Sequence, residues 1–111
     1  MPMWKTRSVD TEPVTHLVRW RVFEASDLTR HFVGWAIEGM AGRVSSAIQE
    51  FDVVRGEGRT RSGRVYRLEG PSGEDGDASY TWSRWCEINS VELVRDVSNE
   101  YRSSSVETGG K

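Results

Sequence analysis

Apolar and polar residues alternate with a period of two over most of the chain. The clearest run is 15–24, in which Val18, Trp20 and Val22 share one parity and arginines separate them. Alternation of this kind indicates a strand with one buried face. The same pattern recurs before the acidic loop and predicts further strands at 31–37, 43–54 and 64–69.

Glycine-rich breaks at 39–42 and 56–58 separate these segments and predict the turns between the strands. Inside 43–54 the parity of the apolar residues changes near Gln49 and Glu50, which predicts a bulge or a bend there. Short strands joined by glycine turns indicate an antiparallel meander.

The segment 79–88 interrupts the alternation. Trp82 and Trp85 are three residues apart, as on one face of a helix, and Asp77 is placed to cap that helix. The Thr, Tyr and Trp of this segment also suit a strand. We predict a helix here, followed by a last strand at 91–97.

The resulting order, β-β-β-β-α-β, predicts an α+β fold. Its sheet is a curved antiparallel sheet or small open barrel of about five strands, covered by one helix. Buried aromatic residues remove on the order of 150–250 Å² each from water. We therefore expect much of the core to consist of Trp20, Trp35, Trp82 and Trp85.

One folded domain is predicted over residues 14–101. Residues 1–13 are polar and unpatterned and are predicted to form a flexible arm. Residues 102–111 contain almost no apolar side chain, which predicts a disordered tail.

Composition narrows the class of protein. The chain has 111 residues, of which 29% are charged, and no apolar run approaches the 18 or so residues of a membrane-spanning helix. A single cysteine, Cys86, allows no intramolecular disulfide framework and no cysteine-based zinc site. With no apolar leader segment at the N-terminus, these features predict a cytoplasmic protein.

The residue types that commonly act in catalysis occur here without the neighbours that a catalytic site needs. His16 and His31 each begin a predicted strand without a suggestive neighbour, and Cys86 lies far from the start of its helix. The acidic cluster 74–77 is interpreted as a solvated loop rather than as a calcium site. The sequence therefore predicts no enzymatic activity, no metal site and no cofactor.

Charge is distributed unevenly along the chain, although the formal net charge is only −2. Residues 55–67 carry five arginines and one glutamate, a net charge of +4, and residues 69–77 carry −4. Arginine and tyrosine are enriched at protein interfaces, and they also bind single-stranded nucleic acid. The predicted binding surface is an arginine-rich hairpin formed by Arg59, Arg61, Arg64, Tyr66 and Arg67.

Three interpretations of the arginine-rich hairpin follow. The leading one is a small, non-enzymatic protein-interaction domain with an inhibitory or accessory role. The alternative is a small barrel that binds single-stranded nucleic acid through the same residues. In the third, the hairpin is solvated and its arginines pair only with the acidic loop. A meander also leaves edge strands through which two copies of the chain can pair.

Overall fold

A computed structural model describes residues 14–102 and places a strand on each predicted stretch of alternation. The strands are β1 (Thr15–Ala25), β2 (Arg30–Ala36), β3 (Ala41–Val44), β4 (Ile48–Asp52), β5 (Glu57–Thr60), β6 (Val65–Leu68) and β7 (Leu93–Asp96). The helix α1 (Gly76–Asn89) connects β6 to β7, and a short 3₁₀ helix (Ser98–Tyr101) follows β7. The predicted arm 1–13 and the predicted tail, apart from Arg102, lie outside the described residues.

The seven described strands form one mixed sheet in the order β3-β2-β1-β6-β5-β4, and β7 pairs with β1. Strand β1 runs antiparallel to β2 and parallel to β6. The end strands β3 and β4 are separated only by residues 45–47. Four peptide steps span at most about 14 Å, at roughly 3.5 Å per residue. The two ends of the sheet therefore lie close together, although the sheet does not close into a barrel.

The predicted α+β class with one covering helix is confirmed, while the details of the sheet differ. Among the described residues there are seven strands rather than about five, and the β1–β6 pair is parallel. The predicted strand 43–54 is divided because Ser45 turns inward, where its hydroxyl oxygen accepts a hydrogen bond from the Phe32 amide at 2.9 Å. Strand β5 was not predicted, because Gly58 suggested a turn.

Gly58 instead lies where β5 packs closely against neighbouring residues of the core and of β4. A Cβ atom at this position would lie 2.8 Å from Cζ of Phe32 and 2.9 Å from the carbonyl oxygen of Glu50. The glycine therefore lets β5 approach the core ring. This requirement for space cannot be distinguished from a turn in the sequence alone.

Two apolar clusters lie on opposite faces of the sheet. The inner cluster consists of Leu17, Trp20, Val22, Phe32, Ala36, Tyr66 and Val97. The outer cluster lies under α1 and consists of Ala25, Val33, Ala78 and Trp82. Of the four predicted core tryptophans, Trp20 and Trp82 are buried, whereas Trp35 and Trp85 are only partly buried.

A β-bulge in β1 places Val18 out of phase with Trp20 and Val22, with which the sequence pattern had grouped it. The pairing with β2 shifts between Val18 and Arg21, and Arg19 adopts a left-handed φ of 47°. The extra residue changes the phase of the strand, so Leu17 and Trp20 both face the inner cluster.

Helix α1 is capped by Asp75 and not by Asp77 as predicted. A side-chain oxygen of Asp75 accepts a hydrogen bond from the Ala78 amide at 3.0 Å. Its other oxygen lies 2.9 Å from a guanidinium nitrogen of Arg19, so the cap is tied to the bulge of β1. Within residues 14–102, no helix has both the length and the apolar character needed to cross a membrane.

Candidate functional site

The arginines between residues 55 and 67 do not form one surface. Arg55 lies in the turn between β4 and β5, whereas Arg61 and Arg64 lie at the opposite end of β5, in the turn to β6. Arg59 and Arg67 lie between these ends, on neighbouring strands. The run of positive charge in the sequence is thus divided among three places.

The strand arginines are paired with carboxylates. Arg59 contacts Glu50 at 3.0 Å and also donates to the side-chain oxygen of Gln49 at 3.0 Å. Arg67 lies 3.5 Å from Glu57, the residue opposite it in the β5–β6 register. Glu57 is already included in the net charge of +4 for residues 55–67, and Glu50, from outside that range, reduces the local positive charge further.

Tyr66 lies in the inner cluster and not beside the arginines. Tyr66 is 2% exposed, and its ring centroid lies 5.7 Å from that of Phe32. Its hydroxyl oxygen accepts a hydrogen bond from Nε of Arg43 at 3.1 Å. Successive residues of a strand point to opposite faces, so Tyr66 points into the core and Arg67 points outward. The surface role predicted for Tyr66 is therefore not retained.

A groove of about 470 Å³ lies at the Arg55 end of β5. Its apolar lining consists of the side chains of Trp20, Val53, Val54, Leu68, Pro71 and Tyr101. Arg55 and Arg102 also line it, together with Gly56 and Gly70. Concave, mainly apolar sites of this size with a few polar groups are typical of binding sites in proteins. We call this site the Arg55 groove.

Two hydrogen bonds fix the backbone on two sides of the Arg55 groove. The indole Nε1–H of Trp20 donates to the carbonyl oxygen of Gly70 at 2.9 Å, and the Leu68 amide donates to that of Gly56 at 2.8 Å. Gly56 and Gly70 have left-handed φ angles of 66° and 70°, which glycine adopts without steric cost. The β4–β5 turn and the loop after β6 are thereby held against the sheet.

Tyr101 is held from a third side. Its ring packs edge-to-face on Phe51, with centroids 4.8 Å apart. Arg30 donates to Glu100 at 2.7 Å and approaches the Tyr101 hydroxyl at 3.5 Å. Hydrogen bonds with Tyr101 and Glu100 raise the pKa of Arg30. The groove is therefore bounded by residues with fixed partners.

The β4–β5 turn presents apolar and positive side chains together. Val54 is 84% exposed, and the side chain of Arg55 is 70% exposed. The side chain of Asp52 supports this turn by accepting from the amides of Val54 and Arg55, at 3.0 and 3.2 Å. Val53 and Val54 extend the apolar lining of the groove to the surface, and contiguous exposed apolar surface marks interaction sites. The predicted strand 43–54 included Val53 and Val54 and put the turn at 56–58, whereas the turn occupies 53–56 between Asp52 and the start of β5.

The two histidines have partners that the sequence did not reveal. Nδ1 of His16 lies 2.5 Å from a carboxylate oxygen of Glu38, and its Nε2 lies 3.7 Å from Glu69. Burial raises the pKa of Glu38, but the hydrogen bonds from His16 outweigh this effect and the net pKa is lowered.

Among the described residues, no group of three or more His, Cys, Asp or Glu is arranged to hold a metal ion. Burial raises the pKa of the Cys86 thiol, which is the opposite of nucleophile activation.

His31 is buried under α1. Its Nδ1–H donates to the carbonyl oxygen of Ser45 at 2.8 Å, and its Nε2 lies 2.7 Å from the Thr29 hydroxyl. Its ring lies 4.4 Å from that of Trp85. Burial lowers the pKa of His31, and the positive charge of Arg61 lowers it further, against opposing contributions from the Ser45 carbonyl.

The lowered pKa of His31 predicts a loss of stability in acid. The unfolded chain takes up a proton near the ordinary pKa of about 6.5, before the folded chain does. The stabilisation is therefore complete above that pH and is lost as the pH falls toward the folded-state pKa. A proton NMR titration of His31 should give a midpoint below 6.5, and Arg61→Gln should raise it. A midpoint at or above 6.5 in the wild type would contradict this account.

Comparison with known proteins found no matching family model, no matching curated protein and no matching solved structure. The interpretation of the site therefore depends on its own geometry.

Proposed function

We propose that this chain is a small protein-interaction domain whose contact surface is centred on the Arg55 groove. The observation that carries the proposal is the combination of an apolar groove of about 470 Å³ with the exposed Val54 and Arg55 at its side. Trp, Tyr and Arg are the residue types that dominate binding energy in protein interfaces, and Trp20, Tyr101 and Arg55 all line this groove. An inhibitory or accessory role is consistent with such a surface.

Two observations at the predicted arginine-rich hairpin disfavour single-stranded nucleic acid as the partner and so favour a protein. Binding of single strands uses unpaired positive charge and an exposed aromatic ring on which bases stack. Arg59 and Arg67 contact carboxylates, and Tyr66 lies in the core. The contribution of Arg61 and Arg64, at the far end of β5, stays a prediction.

The proposal predicts that Val54→Asp abolishes capture of a protein partner. Because Val54 is 84% exposed, its replacement should change stability by only about 0.5 kcal/mol, while the charge opposes apolar contact. Ile88→Asp is the matched control, since Ile88 is 72% exposed on α1 and does not line the groove. The immobilised full chain is used to capture proteins from a lysate of the encoding organism, and each captured protein is purified and its Kd measured.

We expect one purified partner to bind the wild type and the Ile88→Asp variant equally and to bind Val54→Asp at least about tenfold more weakly. A partner that is indifferent to Val54→Asp would place the interface elsewhere. The nucleic-acid alternative is measured in parallel with single-stranded oligonucleotides. Micromolar binding near 150 mM salt, lost when Arg59, Arg61 and Arg64 are all replaced by Gln, would overturn the proposal in its favour.

A further inference from the structure

We infer that the occupant of the Arg55 groove is an extended segment of a partner protein, in which a large apolar side chain lies close to a carboxylate. This inference rests on the proposed function and adds the chemistry of the ligand. It follows from the volume of the groove and from the charge of the side chains around it.

The volume favours insertion of one large side chain over enclosure of a whole helix with its backbone. A helix with its side chains is about 10–12 Å across, a cross-section of roughly 80 Å² or more, so about 470 Å³ would hold only about one turn. An extended segment can instead insert one large apolar side chain and leave its backbone at the surface. Leu68, Pro71 and Tyr101 offer the apolar walls for that side chain.

The charge favours an acidic segment. Both charged side chains that line the groove, Arg55 and Arg102, are arginines. Arg55 forms a long ion pair with Asp52, 3.9 Å from Nε to Oδ2, which is beyond hydrogen-bond distance, and its side chain is 70% exposed. The guanidinium of Arg55 is therefore placed to make charge-assisted hydrogen bonds with a carboxylate of the partner.

The carboxylate and the apolar side chain must be close in the ligand sequence. Val54 and Arg55 are adjacent in one turn, and both line the same groove. A ligand that fills the groove and reaches the Arg55 guanidinium therefore needs its acidic residue within about three positions of the apolar one, since each extended residue spans about 3.3 Å.

The test uses a phage-displayed library of random heptapeptides selected against the full chain. We expect the enriched peptides to contain Leu, Ile, Met or Phe with Asp or Glu within three positions. A synthetic peptide of the enriched sequence should bind about tenfold more weakly to Val54→Asp and about threefold to tenfold more weakly to Arg55→Gln. Arg84→Gln, the same change at an exposed arginine of α1 that does not line the groove, should leave the Kd unchanged.

Three results would overturn this inference. One is enrichment of basic residues, or of apolar residues without acidic neighbours. Another is binding that is insensitive to both Val54→Asp and Arg55→Gln. The third is binding that occurs only after residues 103–111 are removed, which would make the chain's own C-terminal segment the occupant. If a captured protein partner still requires Val54 in any of these cases, the proposed function stands and only the ligand chemistry is wrong.

Discussion

Trp82→Ala is expected to lower the free energy of unfolding by about 3–5 kcal/mol, the range for removing a large aromatic side chain from a core. Trp82 is 6% exposed and is the largest buried residue of the outer cluster. Its ring lies 5.1 Å from Phe23 and stacks on Trp85 at 5.3 Å. The substitution therefore opens a cavity between α1 and the sheet. Urea denaturation at pH 7 measures the loss in the free energy of unfolding.

Trp35→Ala is the matched control for Trp82→Ala. Trp35 is only partly buried, and Arg19 covers one side of its ring, with the guanidinium carbon 6.0 Å from the ring centroid. We expect a loss of about 1–2 kcal/mol, nearer the typical value for a point substitution. An equal loss for the two variants would mean that the outer cluster does not depend on Trp82 in the way described.

Gly42→Ala is expected to destabilise the fold by about 1–3 kcal/mol through overpacking. A Cβ atom on Gly42 would lie 2.5 Å from the carbonyl carbon and oxygen of Asp77 and 2.6 Å from the Ala78 amide nitrogen. These are backbone atoms of the first turn of α1, so the helix itself must shift away from β3. Thermal unfolding measures the loss.

Gly39→Ala provides the comparison, because a Cβ atom on Gly39 would meet no atom within 4 Å. Its melting temperature should remain within a few degrees of the wild-type value, since a change of about 1 kcal/mol shifts a domain of this size by roughly 4–8 °C. A Gly42→Ala variant as stable as Gly39→Ala would contradict the close packing of α1 on β3.

The sequence pattern predicted the elements whose formation depends on residues close together in the chain. Alternation placed β1, β2 and β6, and the spacing of Trp82 and Trp85 identified α1. The pairing of β1 with β6, a parallel contact between residues about fifty positions apart, has no local signal. The bulge at Arg19 was equally hidden, because its cause is the fit of Trp20 into the inner cluster.

The candidate site was less predictable than the fold. Composition identified the arginines, but strand pairing decided their partners: Glu57 opposes Arg67, and Glu50 lies beside Arg59. The Arg55 groove combines residues from β1, the β4–β5 turn and the 3₁₀ helix. Its members, from Trp20 to Arg102, come together only through the tertiary fold, so no motif in the sequence marks them.

Photo-crosslinking in cells of the encoding organism tests whether the Arg55 groove is the contact surface for a protein. A benzophenone amino acid replaces Val54 in one variant and Ile88 in the other, two exposed positions on different elements. We expect a discrete crosslinked protein from position 54 and none from position 88. No protein adduct at position 54, or the same adduct from both positions, would contradict it.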